Sequence, residues 1–186
     1  PAHSHDAKAL ANAIDTYPRD ELFQAETSEL IRILRGIVNL YERHQVRLFV
    51  RRDAYERFYS CLVYAPRDRY NTQVRERIEA IMRDRFAGTH IESQVQISES
   101  ALARLHLLVR TKPGATPVRD IGAIEQEIAI AATTWGDRLR SSLLQQADET
   151  RGLELAKRYN NAFSPAYQDD IAPSQTLDDI EDLEAL

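Results

Sequence analysis

The stretch best suited to chemistry is Ala65-Pro66-Arg67-Asp68-Arg69-Tyr70-Asn71-Thr72. It is polar, follows a strand-like run and leads into a helix-like one. A helix N-terminus offers unpaired backbone N–H groups and a positive dipole, which suit a carboxylate or another anion. Arg67 or Arg69 would then meet the carboxylate, although a capped, salt-bridged loop explains the same residues. Five histidines are spread along the chain: His3, His5, His44, His90 and His106. His3 and His5 have metal-pair spacing but no third ligand nearby in sequence. His106, between Arg104 and Arg110 on the polar side of a strand, is either an anion contact or a sheet-surface histidine. Cys61 alternates with Tyr59 and Val63 and reads as a small buried hydrophobe, with no activating motif around it. Tyr55, Phe58, Tyr59 and Tyr64, close to Arg51, Arg52 and Arg57, have the composition of a base-stacking platform for RNA. Core and cross-strand packing explain them better.

Other chemistries lack their parts. The six glycines are Gly36, Gly88, Gly114, Gly122, Gly136 and Gly152. No two are close enough to build a phosphate-cradling loop of the dinucleotide or P-loop type. The three lysines, Lys8, Lys112 and Lys157, lie in no nucleophile or phosphate motif. No Ser–His–Asp arrangement follows from spacing alone. The expectation is therefore no catalytic, cofactor or metal site in this chain.

The charge is unevenly distributed around a net of −5. Residues 46–110 carry 12 positive and 8 negative side chains, and residues 148–186 carry 3 and 10. The basic middle alternates arginine with acid, as in Arg51-Arg52-Asp53 and Arg67-Asp68-Arg69, which reads as salt-bridged surface. The acidic tail repels phosphates, so no nucleic-acid partner is expected. No apolar run approaches the roughly 18 residues needed to span a bilayer, so no membrane segment is expected. The single cysteine excludes an internal disulfide framework and favours a reducing, cytoplasmic compartment. Pro1 stands where an initiator methionine is expected, so the 186 residues read as a piece of a longer polypeptide.

The elements that must position these residues emerge from periodicity. Residues 1–45 are helical in pattern, with Leu30, Leu34, Ile37, Val38 and Tyr41 forming one apolar stripe. Asp20, and Thr27 or Ser28, are candidate caps. After Gln45 the period becomes two: Val46, Leu48 and Val50 define one strand, and Phe58 to Tyr64 a second, ended by Pro66. Val74, Ile78, Ile81, Met82 and Phe86 fall on one helix face, and Gly88 is placed to end that helix in a left-handed conformation. Ile91, Ser93, Val95 and Ile97 alternate as a strand with one wet face. Leu105, Leu107 and Val109 make another, followed by the breakers Lys112-Pro113-Gly114 and Pro117. The apolar stripe from Ile121 to Leu143 gives a helix over about 118–146, roughly 43 Å long at 1.5 Å per residue. That is over-long for a small sheet, so it either breaks near Gly136 or packs elsewhere in its second half. A short helix at 152–163 and a mostly extended acidic connector at 164–186 complete the reading. This is an α+β two-layer sandwich: a four-stranded antiparallel sheet with helices on one face, plus flanking helices.

Several of these stretches resemble the large bacterial NAD-specific glutamate dehydrogenases. They are Tyr17-Pro18-Arg19-Asp20-Glu21-Leu22-Phe23-Gln24, Val46 to Asp53, Ser60 to Thr72, and Ala103 to Thr111. The ordered similarity runs from about Ser4 to Leu186. It implies the N-terminal region of such enzymes, which contains ACT-like (ferredoxin-like) modules associated with amino-acid sensing and subunit contacts. The implied organisation is a helical segment at 1–45, an ACT-like α+β domain at 46–147, and a short helix with an acidic connector at 148–186. The implied function is that of a non-catalytic regulatory or assembly domain. Its parent is an oligomeric enzyme converting L-glutamate and NAD to 2-oxoglutarate, ammonia and NADH, with NAD bound outside this stretch. Implied partners are neighbouring modules and subunits, and an amino-acid effector. An ordinary ACT order is βαββαβ, whereas these residues read ββαββα, so no effector residue is carried over from the family. The candidate loop remains Arg67, Asp68, Arg69, Tyr70, Asn71 and Thr72, and the alternative function is an RNA-binding α+β sheet.

Overall fold

The computed structural model describes residues 5–40, 45–98, 100–116 and 118–185. Pro1, His3, Tyr41, His44 and Pro117 lie outside them, as do the side chains of His5 and Asp6. The chain forms two compact units, Pro1–Ala132 and Thr133–Leu186.

The first unit begins with α1 (His5–Thr16), α2 (Arg19–Gln24) and α3 (Thr27–Leu40). The hairpin β1 (Arg47–Arg52) and β2 (Phe58–Pro66) follows, then α4 (Thr72–Arg85), the hairpin β3 (His90–Gln96) and β4 (Leu102–Arg110), and α5 (Ile121–Ala131). The sheet order is β1-β2-β4-β3, antiparallel throughout. This bears out the α+β sandwich and its four-stranded sheet.

One sheet face carries Leu48, Tyr59, Cys61, Val63, Leu105, Leu107 and Val109, packed against Val74, Ile78 and Met82 of α4 and Ile124 and Ile128 of α5. The other face is not open, as expected for helices on one side only. Phe49, Leu62, Tyr64 and Leu102 pack there against Ala13 and Tyr17 near the end of α1 and against Ile33, Leu34 and Ile37 of α3. The cause is in β2, which is buried continuously from Tyr59 to Ala65. A strand apolar on both faces needs a layer on each side. Gly36 allows α3 to approach closely, since a Cβ there would lie 2.4 Å from Phe49 Cε1.

Three local expectations are corrected. Gly88 is not the left-handed residue after α4; Ala87 is, with φ 47°. Glycine is needed at 88 for proximity, because a Cβ would lie 2.7 Å from Val109 Cγ1. At α2 the N-terminal flank is Pro18, with no side-chain cap, and Asp20 sits within the first turn. Strand β3 has exposed residues on both faces, Val95 among them at 38%, while Ile91 packs against the core under α4 and α5.

The second unit comprises α6 (Trp135–Gln146), α7 (Glu149–Tyr159), α8 (Pro165–Asp170) and α9 (Thr176–Glu184). The helical periodicity is thus broken before Gly136. Thr134 caps α6 in a capping box with Asp137, a local stop-and-restart stronger than the apolar stripe that runs across it. The extended connector expected at 164–186 is instead α8 and α9. Ser164 caps α8 with Pro165 at its first position, and α9 buries Thr176 and packs Ile180 with Leu139, Leu143 and Leu155. Its acids are solvated on the other side or held: Glu184 accepts from Arg151, Arg158 and the Tyr159 hydroxyl. Trp135 donates from Nε1 to the Ile171 carbonyl at 2.9 Å and contacts the rings of Phe163 and Tyr167.

Candidate functional site

Strand β2 ends at Pro66, and Arg67–Arg69 form a single 3-10 turn before α4. The turn is pinned from below. Arg67 N–H donates to the Ala101 carbonyl at 2.8 Å, and its guanidinium donates to the Ser98 carbonyl at 2.9 Å. Pro66, Arg67, Asp68, Arg69 and Ala101 line a cavity of about 440 Å³. The six expected residues are therefore contiguous, but they divide by role. Arg67, Asp68 and Arg69 face the cavity. Asn71 caps α4, its side-chain oxygen accepting from Val74 N–H at 2.9 Å, and Thr72 is the first residue of that helix. Tyr70 turns inward against the α4 core, and burial pushes its hydroxyl up to about 12. The cavity is thus lined by two arginines and one aspartate, with the Arg67 guanidinium already held by the Ser98 carbonyl.

A second cavity of about 520 Å³ was not foreseen. Asn12, Thr16, Tyr64, Gln96, Ser98 and Arg104 are among its lining residues. Ser98, in this lining, also holds Arg67 through its carbonyl. Arg104 donates to the Thr16 carbonyl at the C-terminal end of α1, where the helix dipole favours a cation. The sequence signal was the polar face of β4, on which Arg104 and His106 alternate with buried leucines. The missing information was which helix would cover that face.

The remaining candidates are placed plainly. His106 is half-buried and within 2.9 Å of the Ser60 hydroxyl, and burial lowers its pKa below 6.5. Cys61 has no exposed surface, and desolvation pushes its thiol far up, so it is an inert part of the core. The aromatic platform is not assembled. Tyr59 lies on the α4 face against Phe86, whereas Tyr64 lies on the opposite face against Phe49. Their arginines are engaged: Arg51 with Glu21, Arg52 with Glu56, Arg57 with Asp53. Among the described residues, no group of three His, Cys, Asp or Glu is placed to hold a metal. No described helix is long and apolar enough to cross a membrane.

A four-stranded antiparallel sheet with paired helices on one face and a helical layer on the other defines an ACT-type α+β domain with helical attachments. Residues 47–136 match the family model for the glutamate dehydrogenase ACT2 domain. Residues 1–43 match its helical motif 1, and residues 142–186 its helical motif 2. Relatives include the NAD-specific glutamate dehydrogenases of Halomonas elongata (34% identical over 95% of this chain), Pseudomonas aeruginosa (32% over 98%) and Mycobacterium tuberculosis (36% over 95%). The chain belongs to the NAD-specific glutamate dehydrogenase family, and it spans 11–12% of the length of these relatives.

Proposed function

We propose that this chain is a non-catalytic regulatory and assembly module of an NAD-dependent glutamate dehydrogenase, with residues 46–147 as the ACT-like domain and 1–45 and 148–186 flanking it. The parent enzyme would oxidise L-glutamate with NAD to 2-oxoglutarate, ammonia and NADH in the cytoplasm, on residues elsewhere. The observation that carries the reading is the ACT2 match over 47–136, which falls on the sheet and its two helices rather than on any nucleotide-binding pattern. The module's ligand in this reading is an amino acid held at the 65–72 loop. The carboxylate meets Arg67 or Arg69 and the ammonium meets Asp68. Calorimetric titration of the chain with a panel of amino acids tests this: saturable heat that disappears in Arg67→Ala and Arg69→Ala supports it. No heat at millimolar ligand would sink the effector version and leave the assembly version, in which the sheet and the helices joined to it contact neighbouring modules and subunits.

A further inference from the structure

The sheet face turned away from α4 and α5 carries a row of three side chains, one from each neighbouring strand. Tyr64 on β2 stands opposite Arg104 on β4, and Arg104 stands opposite Gln96 on β3. Residues opposite one another in an antiparallel pair share a face, with Cβ atoms about 4.5–5.5 Å apart. The C-terminal end of α1 meets this row where Arg104 donates to the Thr16 carbonyl. Ser98, Ser100 and Leu102 complete the lining of the 520 Å³ cavity described above, a size usual for small-molecule sites.

The chemistry of the lining is that of a donor set waiting on an anion. The sheet's other arginines on β1 and at the end of β4 are matched: Arg47, Arg51, Arg52 and Arg110 each have a carboxylate. Arg104 is half-buried, and among the described residues no carboxylate pairs with it. Its Nε is closed off from solvent and has no hydrogen-bond partner there. A cation held partly out of water without a counter-charge favours an anion beside it. The two serines use their oxygens as acceptors: Ser98 Oγ takes Ser100 N–H at 3.3 Å, and Ser100 Oγ takes Leu102 N–H at 3.2 Å. Each hydroxyl keeps its own O–H to donate. Gln96 adds an amide that both donates and accepts, and Leu102 with the Tyr64 ring supplies an apolar wall.

We propose that this cavity binds a small hydroxylated carboxylate, with the acid group on the Arg104 guanidinium and the hydroxyls on Ser98, Ser100 and Gln96. The planar guanidinium fork matches a carboxylate better than it matches an uncharged polar group. One wall comes from α1, in the stretch that matches helical motif 1, and the others from the sheet of the ACT2 match. A bound acid therefore ties α1 to the sheet through the same guanidinium that already holds Thr16. The site goes beyond the amino-acid reading of the 65–72 loop and shares no lining residue with that cavity.

The test is calorimetric titration of the full chain with glycerate and malate, using glycerol and inorganic phosphate as controls. Saturable heat at millimolar glycerate or malate is expected, with glycerol and phosphate at least about tenfold weaker. Gln96→Glu sets a carboxylate directly opposite Arg104 and should cut affinity at least about thirtyfold, by occupying the guanidinium and repelling the ligand. Gln96→Leu removes one amide contact, leaves Arg104 unpaired, and should cost about two- to tenfold. Circular dichroism confirms that both variants keep the fold. Binding should also slow hydrogen exchange in peptides covering residues 7–16 and 96–104, and Arg69→Ala should leave it unchanged. No saturable heat with either acid, phosphate binding as tightly as glycerate, or equal losses in the two Gln96 variants overturns the proposal. Protection confined to residues 65–72 also overturns it, and places the ligand at the loop instead. Failure here leaves the loop reading standing, since that reading is tested by Arg67→Ala and Arg69→Ala.

Discussion

The docking of α2 onto the sheet depends on one buried ion pair. Arg51 on β1 donates from Nε and Nη2 to the two carboxylate oxygens of Glu21, at 2.7 Å each, and the two residues are 4% and 3% exposed. Gln24 adds a longer contact to Arg51 at 3.4 Å. Replacing Glu21 by Ala leaves a guanidinium buried with no anion. Removing one partner of such a pair costs about 3–5 kcal/mol, far more than the intact pair contributes over an apolar substitute. At about 2–4 °C per kcal/mol for a chain of this size, the first unit should melt about 6–20 °C earlier. Hydrogen exchange followed by mass spectrometry on peptides from residues 5–40 and 45–66 reads this locally. Fluorescence of Trp135, the single tryptophan and a member of the second unit, follows the other half of the chain. The double variant Glu21→Leu with Arg51→Met should recover most of the loss, because it removes the unpaired charge as well as the pair. A cost below about 1 kcal/mol for Glu21→Ala would refute the reasoning, since it would place this pair among surface ion pairs.

Three further outcomes follow from the same geometry. Folded His106 binds its proton more weakly than the ordinary value of 6.5, because burial disfavours the cation. The unfolded chain therefore holds more protons, and stability should fall as pH drops below about 6.5; a His106→Gln variant should lack this slope in urea titrations between pH 7 and 5.5. Cys61 should resist thiol reagents in the native state and react fully in denaturant. Gly36→Ala sets two effects against each other. Helix propensity alone gains about 1 kcal/mol, but a Cβ 2.4 Å from Phe49 Cε1 cannot be accommodated without moving the ring or the helix. Net destabilisation of about 1–3 kcal/mol in denaturant unfolding is expected, and a gain in stability would show that α3 does not pack as described.

The strands of this fold were legible because their alternation is short-range. Val46, Leu48 and Val50, and Leu105, Leu107 and Val109, each define a face without reference to the rest of the chain. The second helical layer was harder. Its evidence was the unbroken apolar run Cys61-Leu62-Val63-Tyr64-Ala65 in β2, which requires cover on both sides but does not say what provides it. The acidic C-terminal segment has the composition of a solvated connector, so composition alone points to an extended path. Leu177 and Ile180 recur at helical spacing, yet the partners of Ile180 in α6 and α7 are remote in sequence. At the candidate loop, sequence located the six residues and the cap at Asn71. The inward turn of Tyr70 depends on the core it meets, and the anchoring of Arg67 depends on Ser98 and Ala101, remote in sequence. Arg104 was invisible as a cavity residue for the same reason.

The most direct measurement of the central claim is steady-state kinetics on the intact dehydrogenase that carries this chain, with Arg67 and Arg69 both changed to Ala. The account predicts an unchanged kcat and unchanged KM values for glutamate and NAD in the absence of effectors, with the response to activating or inhibiting amino acids shifted or abolished. Loss of turnover in a correctly assembled variant would contradict it, by placing these residues in the chemistry rather than in its control.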